Sequence, residues 1–114
     1  MHKIMNLQYL EEVSAGDPNF KKELIEIFLR QVPEFVSNMK KYFAEKDWPN
    51  LAKEAHTAKS SALIFGMEET GTALKKIQHL AEENQIVEIP VLIEKTSFQL
   101  ENASGLLLEL AQDL

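Results

Sequence analysis

The C-terminal part of the chain carries the pattern that most restricts its fold, an apolar seam with members alternately four and three residues apart. The seam comprises Ile89, Ile93, Thr96, Leu100, Ala103, Leu107 and Leu110. This spacing follows the 3.6-residue turn of an α-helix and places every member on one side of it. Such a side must be buried against other elements, so the pattern predicts a long helix that packs against the rest of the chain.

Further helix boundaries lie upstream of this seam. Asp17-Pro18 and Asp47-Trp48-Pro49 each place an acidic cap before a proline, which suits a first helical turn because proline lacks the donor that would be unpaired there. Another apolar pattern begins at Met67, and Asn6 can cap a short helix at the start. The sequence therefore predicts an all-α fold, an antiparallel up-down-up-down four-helix bundle preceded by a short N-terminal helix.

The longest of these segments has a proline in its middle. Its apolar stripe runs from Phe20 to Phe43 in steps of three and four residues, and Pro33 interrupts it. Proline removes one backbone donor and crowds the preceding turn. We therefore expect a kink at Pro33, or two helices nearly in line.

Composition narrows the classes of protein that the chain can belong to. Its 114 residues suit one domain, so we expect residues 1–114 to form a single domain. The absence of cysteine excludes disulfides and thiolate chemistry and is compatible with a cytoplasmic location. A net charge of −6 argues against nucleic-acid binding, and the N-terminus resembles neither a signal peptide nor a membrane span. Met1 and the short lead-in favour a free-standing protein.

One histidine stands out among small residues in the stretch 55–66. The same helix carries a narrow apolar seam. With about 100° of rotation per residue, His56 should point well over 90° away from the centre of that seam. Lys59 lies on the same side as His56. The small side chains of Ala52 and Ser60, one turn below and above the histidine, would let the active site of a binding partner close over the ring. Gly66 is expected to end this helix in a left-handed cap. The seam comprises Leu51, Ala55, Ala58, Ala62 and Phe65.

Several chemistries lack the residues that they require. None of His2, His56 and His79 has another histidine three or four residues on, and no Glu-x-x-His pair is present, so no metal site is predicted. No Gly-x-Ser-x-Gly turn or glycine-rich phosphate loop occurs, which argues against a hydrolase and an autonomous kinase. A neutral imidazole is, however, a competent nucleophile toward an activated phosphoryl group, and Lys59 can supply positive charge to the phosphoryl oxygens.

The motif His56-x-x-Lys59-Ser60-Ser61-Ala62, with Gly66 ten residues after the histidine, resembles the signature of histidine-containing phosphotransfer (HPt) domains of phosphorelays. Residues 17–20, 28–33 and 47–56 are also similar to that family, and the similarity weakens after about residue 85. Two positions depart from the family pattern. Ser60 replaces a common glycine, and Ala58 replaces a larger apolar residue.

The resemblance implies roles for individual residues. His56 would accept the phosphoryl group on Nε2, Lys59 would stabilise that group, and Gln78 would orient the ring through its other nitrogen. Receiver domains would dock beside His56, and Leu63 and Ile64 would either form part of that docking patch or pack at the helix end.

The resemblance also implies that this chain and its receiver partners supply different parts of the reaction. The chain would accept the phosphoryl group from the aspartyl phosphate of one receiver domain and pass it to another. Mg²⁺ would belong to the receivers, so the chain would need no cofactor and would be a carrier rather than an enzyme.

Three alternatives stay open on the sequence. The chain could bind a receiver without transferring phosphate, as an adaptor. It could be a phosphoacceptor domain of the chemotaxis-kinase type, which an ATP-binding domain phosphorylates. It could also be a helical oligomerisation module that uses the Ile89–Leu110 seam, whereas one closed bundle is expected to be a monomer.

Overall fold

The computed structural model describes residues 4–114, and within them it contains five helices and no strand. Short connections at 45–47, 65–67 and 83–88 make consecutive long helices antiparallel. The four long helices form a closed ring in which each contacts two neighbours, and α1 packs on α2. This arrangement confirms the predicted bundle. The helices are α1 Gln8–Ser14, α2 Pro18–Ala44, α3 Trp48–Ile64, α4 Glu68–Glu82 and α5 Ile89–Gln112.

The predicted caps begin the two helices that they precede. The carboxylate of Asp17 accepts a hydrogen bond from the backbone N–H of Asn19 at 2.9 Å, and that of Asp47 accepts one from Asn50 at 3.3 Å. At α1 the cap lies one residue further out, since Asn6 Oδ1 accepts from the N–H of Gln8 at 3.0 Å while the helix begins at Gln8. Each side chain satisfies a donor that the first helical turn leaves unpaired.

The interior proline does not divide α2, so the expectation of two helices in line is wrong. The helix runs unbroken from Pro18 to Ala44, with Pro33 exposed on its outer side. Val32 and Phe35 beside it are buried, so packing on both sides of the proline holds the helix together although one backbone hydrogen bond is lost. The apolar stripe also begins later than predicted. Phe20 in the first turn is 39% exposed.

Both predicted seams lie inside the bundle. Every member of the α3 seam is at most 2% exposed, and its alanines allow neighbouring helices to approach closely. The α5 seam is buried from Ile89 to Leu107, after which Leu110 is only partly buried and Ala111 enters the core. The seam that suggested an oligomerisation module is therefore used within the core of the chain itself.

Gly66 ends α3 as predicted, with a φ of 66°. The N–H groups of Met67 and Gly66 donate to the carbonyls of Ala62 and Leu63, both at 3.1 Å, which is the Schellman arrangement. The lead-in to α1, residues 4–7, contacts this turn through Asn6, whose N–H donates to the carbonyl of Phe65 at 3.2 Å. A Cβ at position 66 would lie 2.0 Å from the backbone oxygen of Asn6.

Within residues 4–114, no helix has the length and apolar character that a membrane span requires.

The substitution Gly66→Ala should lower the free energy of unfolding by more than about 1 kcal/mol, because alanine is strained at positive φ and its Cβ would collide with the lead-in. Gly105→Ala is the matched control, since Gly105 lies within α5 with open space at its Cβ position. There alanine should raise stability by roughly 0.5–1 kcal/mol. Urea titration of both variants measures the two changes, and equal effects would contradict the assignment of Gly66.

Candidate functional site

The packing of α3 determines which of its side chains reach solvent. Ala55 and Ala58 are fully buried, and the residues next to them in sequence must therefore point elsewhere. His56 is exposed, as predicted, and faces the edge between α3 and α4. The imidazole is thus open to a partner molecule while its backbone belongs to the core.

Gln78 of α4 contacts the imidazole directly. His56 Nδ1 lies 3.3 Å from Gln78 Oε1, although the two residues are 22 positions apart. An amide oxygen is an acceptor only, so this contact is a hydrogen bond when Nδ1 carries the ring proton. Nε2 then keeps its lone pair, which is the form of the ring that can act as a nucleophile.

A second contact continues this chain of polar groups. Gln78 Nε2 donates to Glu82 Oε2 at 3.3 Å, from one turn earlier in the same helix. The sequence analysis missed Glu82. Its spacing of four residues from Gln78 was the available signal, because side chains so spaced are neighbours on a helix.

A cleft of about 640 Å³ opens on one side of the histidine. Its walls include Trp48 and Lys53 of α3 as well as the Gln78–Glu82 pair of α4. Ala52 also lines it but is only 6% exposed. The predicted contribution of Ala52 to partner binding therefore consists of the space that its small side chain leaves beside the ring.

Lys59 lies on the other side of the histidine, in a separate depression. Its stem crosses α4 at Gly71, where a Cβ would lie 3.9 Å from Lys59 Cγ. Thr72, Lys75 and the acidic Glu68 line the same depression. None of the ion pairs found in residues 4–114 involves Lys59. Its charge is thus available to an anion brought by a partner.

The remaining predicted partner-binding residues differ in exposure. Ser60 is exposed, and its hydroxyl donates back to the carbonyl of His56 at 3.2 Å, so the side chain stays close to the helix. Leu63 is 43% exposed and lies over Gly71, next to Lys59. Ile64 is partly buried and packs against the core. The structure therefore places Leu63 beside the site and gives Ile64 mainly a packing role at the helix end.

Across the part of the chain that the structure describes, no group of three or more His, Cys, Asp or Glu side chains is arranged to hold a metal ion. His2, one of the three histidines considered as ligands, lies outside the described residues.

Comparisons with known proteins show the family and the fold. A model of the Hpt domain matches residues 23–113. The phosphorelay intermediate protein YPD1 of Candida albicans is 30% identical over 67 residues, which are 59% of this chain and 36% of that protein, so the match spans about a third of the relative's length. The crystal structure of histidine-containing phosphotransfer protein B (HptB) from Pseudomonas aeruginosa PAO1 superimposes with a TM-score of 0.91, over 100% of this chain and 99% of the other. That pair is 16% identical, so the likeness is one of fold.

The contact between Gln78 and His56 predicts a measurable effect on the imidazole. Replacing Gln78 with leucine removes the acceptor for Nδ1–H, and the neutral ring should then populate both tautomers. Two-bond ¹⁵N–¹H correlation spectra, recorded above the titration range of the ring, report the tautomer directly. Gln85→Leu makes the same chemical change outside the cleft and should leave the spectrum of His56 unchanged. An unaltered tautomer in Gln78→Leu would exclude the orienting contact.

Proposed function

The chain belongs to the Hpt domain family, and we propose that it is a phosphorelay intermediate that carries a phosphoryl group on His56. The observation that carries the proposal is the exposed imidazole whose Nδ1 faces the Gln78 amide oxygen, which leaves Nε2 free to react. The donor and the acceptor of the phosphoryl group would be aspartates of receiver domains, in hybrid sensor kinases and response regulators. The name of the Candida relative supports the same role.

The proposed transfer is a displacement at phosphorus. His56 Nε2 attacks the phosphorus of a receiver's aspartyl phosphate, the N–P bond forms, and the O–P bond breaks to release the aspartate carboxylate. Nδ1 keeps its proton, so the ring becomes positively charged as the bond forms. Gln78 Oε1 would stabilise that charge through the existing hydrogen bond. The reverse steps deliver the group to a second receiver.

The receiver would supply the other groups that the transfer requires. We place Mg²⁺ and most catalytic groups in the receiver, with this chain acting as a cytoplasmic phosphohistidine carrier without kinase activity of its own. Leu63 and Ser60 would contact the docked receiver. The receiver would also occupy the space that the small side chain of Ala52 leaves beside the ring. We expect the chain to act as a monomer, because the α5 seam is already buried in its own core.

His56→Gln should abolish phosphorylation by a labelled receiver, while the wild-type protein acquires acid-labile, base-stable label as expected of a phosphoramidate. His79→Gln is the matched control, since His79 is also exposed but lies outside the cleft and should leave labelling intact. Equal labelling of wild type and His56→Gln would overturn the assignment. Receiver binding without any labelling of the wild type would instead identify a non-transferring adaptor.

Lys59→Ala should slow transfer about tenfold with the fold intact, because it removes an ammonium from the depression beside His56. The effect should be smaller than the loss of a buried donor, since solvent screens a partly exposed charge. Rapid-quench measurement of labelled protein gives the rate. Lys40→Ala, which removes a lysine from the groove between α2 and α5, is the control and should transfer at the wild-type rate. An unchanged rate in Lys59→Ala would remove this residue from the mechanism.

A further inference from the structure

We propose that Glu82 is a positioning residue for His56, and that it determines the imidazole tautomer by fixing the orientation of the Gln78 amide. Glu82 does not touch the imidazole. It acts through the hydrogen bond that its carboxylate accepts from Gln78 Nε2 at 3.3 Å, while Gln78 Oε1 faces His56 Nδ1 at 3.3 Å. The control of the tautomer follows from these two contacts alone, and only its effect on transfer rests on the proposed function.

The argument depends on which groups can donate. A glutamine side chain has a donor end and an acceptor end, and rotation by half a turn exchanges them with almost no change of shape. Gln78 by itself could therefore present either end to His56. An ionised carboxylate has acceptors only, so Glu82 forms a hydrogen bond with one end of the amide and repels the other.

Glu82 lies where its carboxylate can select which end of the Gln78 amide faces His56. It lies one turn beyond Gln78 on α4, where side chains of the same face meet. None of the ion pairs found in the described part of the chain involves Glu82, so its carboxylate is available to the amide. With Gln78 Nε2 turned toward Glu82, Oε1 must face His56, and an acceptor at Nδ1 selects the tautomer with its proton on Nδ1.

The same series of hydrogen bonds, from Glu82 through Gln78 to His56, would assist the reaction. Transfer to Nε2 makes the ring positive while Nδ1 keeps its proton. A carboxylate hydrogen-bonded to the amide polarises it, which strengthens the hydrogen bond that Oε1 accepts from the ring. Glu82 would thus favour both the reactive tautomer and the charged product without contacting the phosphoryl group.

A charge reversal tests the mechanism directly. In Glu82→Lys the ammonium is a donor only, so Gln78 should turn its Oε1 toward position 82 and its Nε2 toward His56. The ring should then carry its proton on Nε2, the position that must be free for attack. Two-bond ¹⁵N–¹H spectra of the neutral ring should show the Nε2–H tautomer changing from the minor to the major form. Transfer from a labelled receiver should slow about tenfold, the lower end of what loss of an orienting partner costs a functional histidine.

Three further variants separate orientation from charge and from folding. Glu82→Gln offers both an acceptor and a donor at the same position, so it should no longer select one end of the Gln78 amide and should give a mixture of tautomers without reversing the charge. Glu82→Leu removes the acceptor without adding a donor and should give a mixture, which keeps the test valid if the lysine variant does not fold. Glu83→Lys makes the same charge change at the neighbouring exposed residue, the C-cap of α4, and should behave as wild type.

The outcomes distinguish the inference from the proposed function. An unchanged tautomer in both Glu82→Lys and Glu82→Leu, or an equal change in Glu83→Lys, would overturn the role of Glu82 even if phosphoryl transfer is observed. A changed tautomer in a protein whose wild type is never phosphorylated would support Glu82 as the positioning residue and contradict the proposed function instead.

Discussion

The close packing of α3 against α4 is the constraint on which the site depends. Ala55, Ala58 and Ala62 have no exposed surface, and their small side chains allow the two helix backbones to approach closely. This approach brings Gln78 within hydrogen-bonding distance of His56 across a connection of only a few residues. Larger residues in the seam would hold the helices further apart and would lengthen the contact between the ring and Gln78. The alanines therefore contribute to function by allowing a short distance between α3 and α4, and they take no part in the chemistry.

The surroundings of His56 are divided into two sides with different physical properties. On one side, Gln78 Oε1 faces Nδ1 of the ring and Glu82 accepts a hydrogen bond from Gln78, in a cleft that Lys53 also lines. On the other side, Lys59 and Lys75 offer ammonium groups in a depression that also contains Leu63. Negative charge near Nδ1 and positive charge beyond the ring suit a histidine that becomes positive when it accepts an anionic group. Two lysines and one glutamate, Glu68, thus line this depression, although the chain as a whole carries a net charge of −6.

Much of the fold could be predicted from local signals, because capping and helical periodicity act over a few residues. Asp17 and Asp47 begin the helices that they were predicted to begin, and the two apolar seams are buried. The alternative of two helices at Pro33 was wrong because the cost of an interior proline is local, while the burial of Val32 and Phe35 that compensates it is tertiary. The outward direction of His56 followed from the seam opposite it. Its contact with Gln78 was expected only from the family resemblance, and the four-residue spacing that singles out Glu82 has meaning only once Gln78 is known to contact His56.

The contact between Asn6 and Gly66 makes two distant parts of the chain depend on one another. The backbone of Asn6 fills the space that a side chain at position 66 would need, so the path of the chain at position 6 and the glycine at position 66 depend on each other, whatever side chain position 6 carries. A relative whose lead-in takes another path is released from the steric requirement and keeps only the requirement for positive φ, which asparagine also meets. Glycine in the motif thus carries information about the N-terminus of the protein rather than about its chemistry. The glycine ten positions after the histidine is therefore explained by the path of the chain before α1, and the chemistry of the histidine does not require it.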